Sequence, residues 1–176
     1  MKLAVVAYPK LDEADRERIE AFRTQHDPQA ARLAAHFTLV FPIVTDLIEL
    51  EDELALIAKS TSPISFRLRG TKAVQDSLSM ESHVFLVPAE GSADITMLHD
   101  RLYSGALRPH LRSDILFVPH ITVAAAPSLL EAQALADELE VRDIRGVIAA
   151  LELIDVRGAR VISITTFALR VAHSGG

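Results

Sequence analysis

Ala35-His36-Phe37-Thr38-Leu39-Val40-Phe41-Pro42 and Pro119-His120-Ile121-Thr122-Val123 are two versions of one pattern, a His-x-Thr set in an apolar run, with the two histidines 84 positions apart. Alternate side chains of a strand share a face. His36 and Thr38 should therefore point one way, and Phe37, Leu39 and Phe41 the other, towards covering helices. Ile121 and Val123 should do the same behind His120 and Thr122. A strand that is apolar on one face and carries His and Thr on the other presents a polar pair to something other than the core.

Outward from the first copy, Leu3 to Tyr8 reads as a strand ended by Pro9, and Asp12 to Gln25 as a helix that Asp12 can cap, with Ile19 and Phe22 on one face. After the Ala35 to Phe41 strand, Leu47, Leu50, Leu54 and Ile57 mark a helix over Asp46 to Lys59, and a strand follows from Ile64 to about Val74. The second half repeats this order. His83 to Val87 is a strand, Ser92 to about Leu107 a helix, and Ile115 to Ala125 a strand interrupted at Pro119. Ser128 with Glu131 is a capping-box signature for a helix through Leu139. Ile144 to Val156 and Val161 to Leu169 are closing strands around an Arg157-Gly158 turn. The expectation is an α+β fold: a bilobal, pseudo-symmetric duplication of β-α-β-α-β units. Its lobe-like halves span roughly 1–76 and 82–170 with elements free to interleave, in a single domain over 1–176. No flexible linker composition separates the halves. His173 to Gly176 reads as a loose tail.

The composition narrows the function. With 49% hydrophobic residues in 176 the chain can bury a sizeable core. A formal net charge of -6 is the wrong sign for wrapping duplex nucleic acid, so any nucleic-acid partner should be small or end-bound. The absence of cysteine removes disulfides, thiolate metal sites and Cys nucleophiles. No apolar run approaches a bilayer span or an export signal, so a cytoplasmic protein without membrane contact is expected. His26, His83, His99, His110 and His173 show no metal-ligand spacing, and no metal or other cofactor is expected.

Two imidazoles and two hydroxyls suit metal-independent phosphoester chemistry. One neutral imidazole can accept a proton while the other, as imidazolium, donates one. Each threonine hydroxyl can donate to a non-bridging phosphate oxygen. In Ser65-Phe66-Arg67-Leu68-Arg69, alternation sends Phe66 and Leu68 to the helices and Arg67 and Arg69 to the histidine face, where arginine is a natural phosphate contact. Tyr8 closes the first strand and could stack a base.

The paired motifs resemble the two signatures of the 2H phosphoesterase superfamily, nearest its bacterial 2'-5' RNA ligase or RNA 2',3'-cyclic phosphodiesterase branch. Phe66-Arg67-Leu68-Arg69-Gly70 resembles that family's strand after its second helix. The resemblance implies two antiparallel sheets facing a central cleft with helices outside. It also implies metal-free hydrolysis of a 2',3'-cyclic phosphate or related phosphodiester on a nucleotide or short RNA end. By the same likeness His36 is the proton donor, His120 the acceptor, and Thr38 and Thr122 the phosphate ligands. RNA-directed members commonly continue the second motif to an arginine, where this chain has Val123-Ala124-Ala125-Ala126. Two other readings share the scaffold, a non-catalytic nucleotide or phosphate sensor and a 2'-5' RNA ligase. The oligomeric state stays open.

Overall fold

The computed structural model describes residues 1–76 and 80–170. The expected tail at His173 to Gly176 lies outside them. Strands are β1 (Leu3–Ala7), β2 (Lys10–Leu11), β3 (Phe37–Ile43), β4 (Ile64–Gln75), β5 (Ser82–Glu90), β6 (Ile121–Ala126), β7 (Ile144–Ile148), β8 (Ala150–Asp155) and β9 (Ile162–Ala168). Helices are α1 (Glu13–His26), α2 (Leu47–Lys59), α3 (Ser92–Leu102) and α4 (Leu129–Glu138). No helix among the described residues is long and apolar enough to cross a membrane.

All strand pairs are antiparallel, and the order β2-β7-β4-β5-β6-β3-β1-β8-β9 makes one curled sheet. It consists of two half-sheets, β2-β7-β4-β5-β6 and β3-β1-β8-β9, joined through the single pair Phe37 and Ile121. The chain halves interleave: β8 and β9 from the second half pair beside β1, while β2 and β4 from the first half pair with β7.

One continuous core underlies the sheet. It takes Ile19 from α1, Leu50, Leu54 and Ile57 from α2, Ile95, Leu98 and Leu102 from α3, and Ala132 and Ala136 from α4. Phe66 and Leu68 enter it from β4, as alternation requires. The Asp46 side chain accepts from the amides of Ile48 and Glu49, and Ser128 accepts from Glu131, so both helix starts are capped. Asp12 stands at the N-cap of α1 without a side-chain cap bond. α3 instead starts at Gly91, whose φ is 84° and whose absent Cβ would lie 2.4 Å from the Ser65 carbonyl oxygen. Only glycine fits that left-handed position without strain.

Several elements differ from the expectation, which did not include β2 and ended the strands at Phe41 and Val87, where β3 and β5 continue through Pro42 and Pro88. Ile115 to His120 is an extended loop, and β6 begins at Ile121. α3 stops at Leu102, beyond which a short 3-10 turn covers Arg108–His110. The run from Ile144 to Val156 is two strands, because β7 pairs with β4 in one half-sheet and β8 with β1 in the other. In β3 the partners of Val5 and Val6 are Val40 and Thr38, so Leu39 is an extra residue. This bulge buries Leu39 and Val40 together and leaves Phe41, expected inside, only half-buried.

Candidate active site

The seam between the half-sheets decides the geometry. Phe37 and Ile121 are paired and both fully buried on the helix side. One residue further along this antiparallel register, His36 stands opposite Thr122 and Thr38 opposite His120, all four on the helix-free face. Each histidine thus faces the threonine of the other motif. The two histidines are diagonal neighbours, about 7–8 Å apart at Cα. The structure brings the four residues of the doubled motif together, and all are half-buried.

The rings are oriented alike. His36 Nδ1 donates to the Ala34 carbonyl at 2.7 Å, and His120 Nδ1 to the Val118 carbonyl at 2.6 Å. A carbonyl oxygen can only accept, so each Nδ1 carries hydrogen and each Nε2 is the nitrogen left for a ligand.

The loop holding each carbonyl is anchored from behind. Arg23, 1% exposed, donates through Nε (3.1 Å) and Nη2 (2.8 Å) to Asp27, through Nη1 (3.0 Å) to Glu20 and through Nη2 (2.9 Å) to the Leu33 carbonyl. Glu20 also accepts from the Ala35 amide. On the other side Phe117 stacks on buried His99 of α3 at 3.7 Å and 9°, fixing the loop that supplies Val118.

Burial pushes both imidazoles below their ordinary pKa, and the backbone bonds oppose this in part. Their surroundings then differ. Asp27 and Glu20 raise His36 while Arg23 lowers it. The positive charges of His36 and His83 lower His120, and no carboxylate compensates.

Tyr8 follows Ala7, which pairs with Phe37, and its ring meets His36 edge-on at 6.1 Å and 68°. Desolvation and the charge of Glu152 raise its phenol. The structure thus brings Tyr8 to the histidine pair. Arg67 and Arg69 are held elsewhere. Arg67 donates from Nε to Asp143 at 3.0 Å and from Nη1 to Glu90 at 3.3 Å, and Arg69 Nη2 lies 3.0 Å from Glu90. They stand on β4, with β5 between them and the histidine strand β6. Arg67 lines a groove of about 460 Å³ with Lys10, Ser65, Glu90 and Arg145.

Two rings escaped the sequence reading. Phe85, opposite Thr122, stacks on His120 at 3.7 Å and 20°, and His83 lies parallel to Phe85 at 6.1 Å and 6°. The signal was present in His83-Val84-Phe85-Leu86-Val87, where Val84 and Leu86 are core and the intervening side chains share the histidine face.

A curled antiparallel sheet with helices on one face and two facing His-x-Thr motifs on the other defines a protein class, and the chain belongs to it: the family profile of the 2'-5' RNA ligase superfamily matches residues 11–160. That membership places its chemistry at phosphoester bonds. A candidate phosphoesterase of Bacillus pumilus is 32% identical over 127 residues, 70% of each chain. Among solved structures, TT0787 of Thermus thermophilus superposes with a TM-score of 0.64 over 98% of this chain and 100% of that one, at 20% identity. Escherichia coli LigT complexed with 3'-AMP superposes with 0.55 over 97% and 98%, at 24% identity.

Proposed function

We propose that the chain hydrolyses a 2',3'-cyclic phosphate, or a related phosphodiester, at the end of a nucleotide or short RNA, with His36 and His120 as acid and base and no metal. The observation that carries this is the crossed pairing of His36 with Thr122 and Thr38 with His120, each ring presenting Nε2. A phosphate between the rings would receive the threonine hydroxyls on its non-bridging oxygens. His120 Nε2 removes a proton from water as its oxygen bonds to phosphorus. The bond from phosphorus to the 2' or 3' ester oxygen breaks, and His36 Nε2–H protonates that oxygen as it leaves. The products are a phosphomonoester and a free ribose hydroxyl, with the proton exchanged between the two rings.

Arg23 opposes the charged form of His36 while Asp27 and Glu20 favour it, whereas both charged groups acting on His120, His36 and His83, oppose its charged form, and this asymmetry supports His36 as donor. Tyr8 at the edge of His36 and Phe85 on His120 supply aromatic surface for a base. Arg67 and Arg69 reach a substrate only by exchanging their bonds to Asp143 and Glu90. The nucleotide complex of LigT supports the same class of ligand.

The test is turnover of adenosine 2',3'-cyclic phosphate in buffer containing a chelator, followed by separation of the products. Hydrolysis that His36→Ala and His120→Ala each abolish is expected. Absence of turnover with retained nucleotide binding would favour the sensor reading, and full activity of either variant would exclude the paired mechanism.

A further inference from the structure

His83 is a third imidazole on the histidine face that the reaction above does not use. Its neighbours across the ladder are Val74 on β4 and Ala125 on β6, neither of which offers a side-chain acceptor. Its Nδ1 is buried and has no hydrogen-bond partner, unlike Nδ1 of His36 and His120. An orphaned buried polar atom is a cost that a valine at this strand position would remove. One face of Phe85 carries His120 at 3.7 Å, and His83 lies parallel to that ring at 6.1 Å. An aromatic face stabilises a cationic ring. Lys72 stands opposite Phe85 on β4, exposed and in no ion pair with a described residue.

The histidine face therefore continues past Thr122 into a patch bearing Lys72 and His83. The strand spacing from Phe85 to His83 is roughly 7 Å. The charged groups around His83 are Lys72 on β4, His120 on β6, and Asp76 and Glu81 at the hairpin end, where the Asp76 amide donates to the Glu81 carbonyl.

Resting on the reading of the site as a phosphodiester hydrolase, we propose that His83 and Lys72 form a subsite for a second phosphate of the substrate, so that an oligonucleotide end is preferred to a mononucleotide.

The experiment compares two adenosine dinucleotides ending in a 2',3'-cyclic phosphate, one with an ordinary phosphodiester link and one with an uncharged methylphosphonate link. Both carry the same bases. The charged link should raise kcat/KM by roughly ten-fold at pH 5.5, less in His83→Gln, and least in His83→Gln combined with Lys72→Gln. Equal kcat/KM for the two links, or a ratio unchanged by His83→Gln, would overturn the subsite. Calorimetric binding of the corresponding 3'-phosphate dinucleotides reads the same ratio without turnover. Binding preference without hydrolysis would retain the subsite and remove the hydrolase reading, while hydrolysis without preference would do the reverse.

Discussion

Arg23→Met is the substitution whose cost can be worked out most directly. The guanidinium is 1% exposed and makes two bonds to Asp27, itself 7% exposed, with further bonds to Glu20 and the Leu33 carbonyl. Methionine fills comparable volume but leaves the Asp27 carboxylate buried without its cation. Breaking a buried pair from one side costs about 3–5 kcal/mol. At about 2–4 °C per kcal/mol for a chain of this size, Tm should fall by roughly 6–20 °C. Removing Asp27 as well, in Arg23→Met with Asp27→Leu, should recover part of the loss because no buried charge remains unpaired. Recovery should be incomplete, since the Gln29 amide, which donates to Asp27 at 2.9 Å, and the Leu33 carbonyl lose their partners. Arg23→Lys should fall between wild type and Arg23→Met, keeping the charge without the two-pronged geometry. Reversible urea and thermal unfolding followed by circular dichroism measure these differences. Arg23→Met also removes the positive charge that lowers His36, so the imidazole should titrate higher in that variant by NMR. A loss below about 1 kcal/mol, against the 3–5 expected, or a double variant no more stable than the single, would refute the assignment of Arg23 as the anchor of this loop.

The pH dependence follows from the depressed histidines. Both lie below the usual value of 6.5, so kcat/KM against a cyclic nucleotide should be bell-shaped with its optimum on the acidic side of 6.5. His36→Ala should erase the alkaline limb of the residual activity and His120→Ala the acidic limb. Stability follows the same sign: the unfolded chain binds more protons than the folded one just below pH 6.5, so stability should decline as pH falls through that window, as acid titration of the urea midpoint would read. Thr38→Val should lower turnover without moving the optimum, because a hydroxyl does not titrate there; displaced kinetic pKa values would contradict its role. Gly91→Ala should cost about 1–3 kcal/mol, read as a lowered Tm, since its Cβ would meet the Ser65 carbonyl at 2.4 Å.

What the sequence displayed and what it concealed divide along one physical line. Helix stripes and strand alternation are local, and Leu50, Leu54, Ile57, Phe66 and Leu68 are buried as their spacing requires. The bulge at Leu39 arises from the register of β3 against β1, which no local pattern carries, and Val40 takes the inward place expected of Phe41. Ile115, Leu116 and Val118 look like strand but remain exposed, because Phe117 alone finds a docking site, on His99. Ile144 to Val156 looks continuous, yet its ends join different half-sheets. The motif histidines and Tyr8 were legible because each stands beside the seam. Arg67 and Arg69 were placed on the correct strand, but their carboxylate partners Asp143 and Glu90 come from distant sequence.

The crossed arrangement at the seam follows from antiparallel pairing itself. Two copies of His-x-Thr paired through their central residues must set each histidine opposite the other copy's threonine, as the Phe37 and Ile121 pair does here. A parallel seam would not interchange the two ends in this way. Symmetry of this kind makes the two rings equivalent, whereas acid and base must differ. The difference is supplied from outside the motifs. Behind His36 stands a charged network, Arg23 with Glu20 and Asp27, and against His120 lie an aromatic ring and a further imidazole. These neighbours come from α1 and its C-cap on one side and from β5 on the other, and the counterparts of those elements in the other half, α3 and β1, carry different side chains. If the roles are set this way, exchanging the environments should weaken the division of labour more than altering either motif's spacing residue. Glu20→Gln removes a carboxylate that favours protonated His36 and should draw the alkaline limb of the pH profile towards lower pH. An unchanged alkaline limb in Glu20→Gln would mean that the difference between the two histidines originates elsewhere.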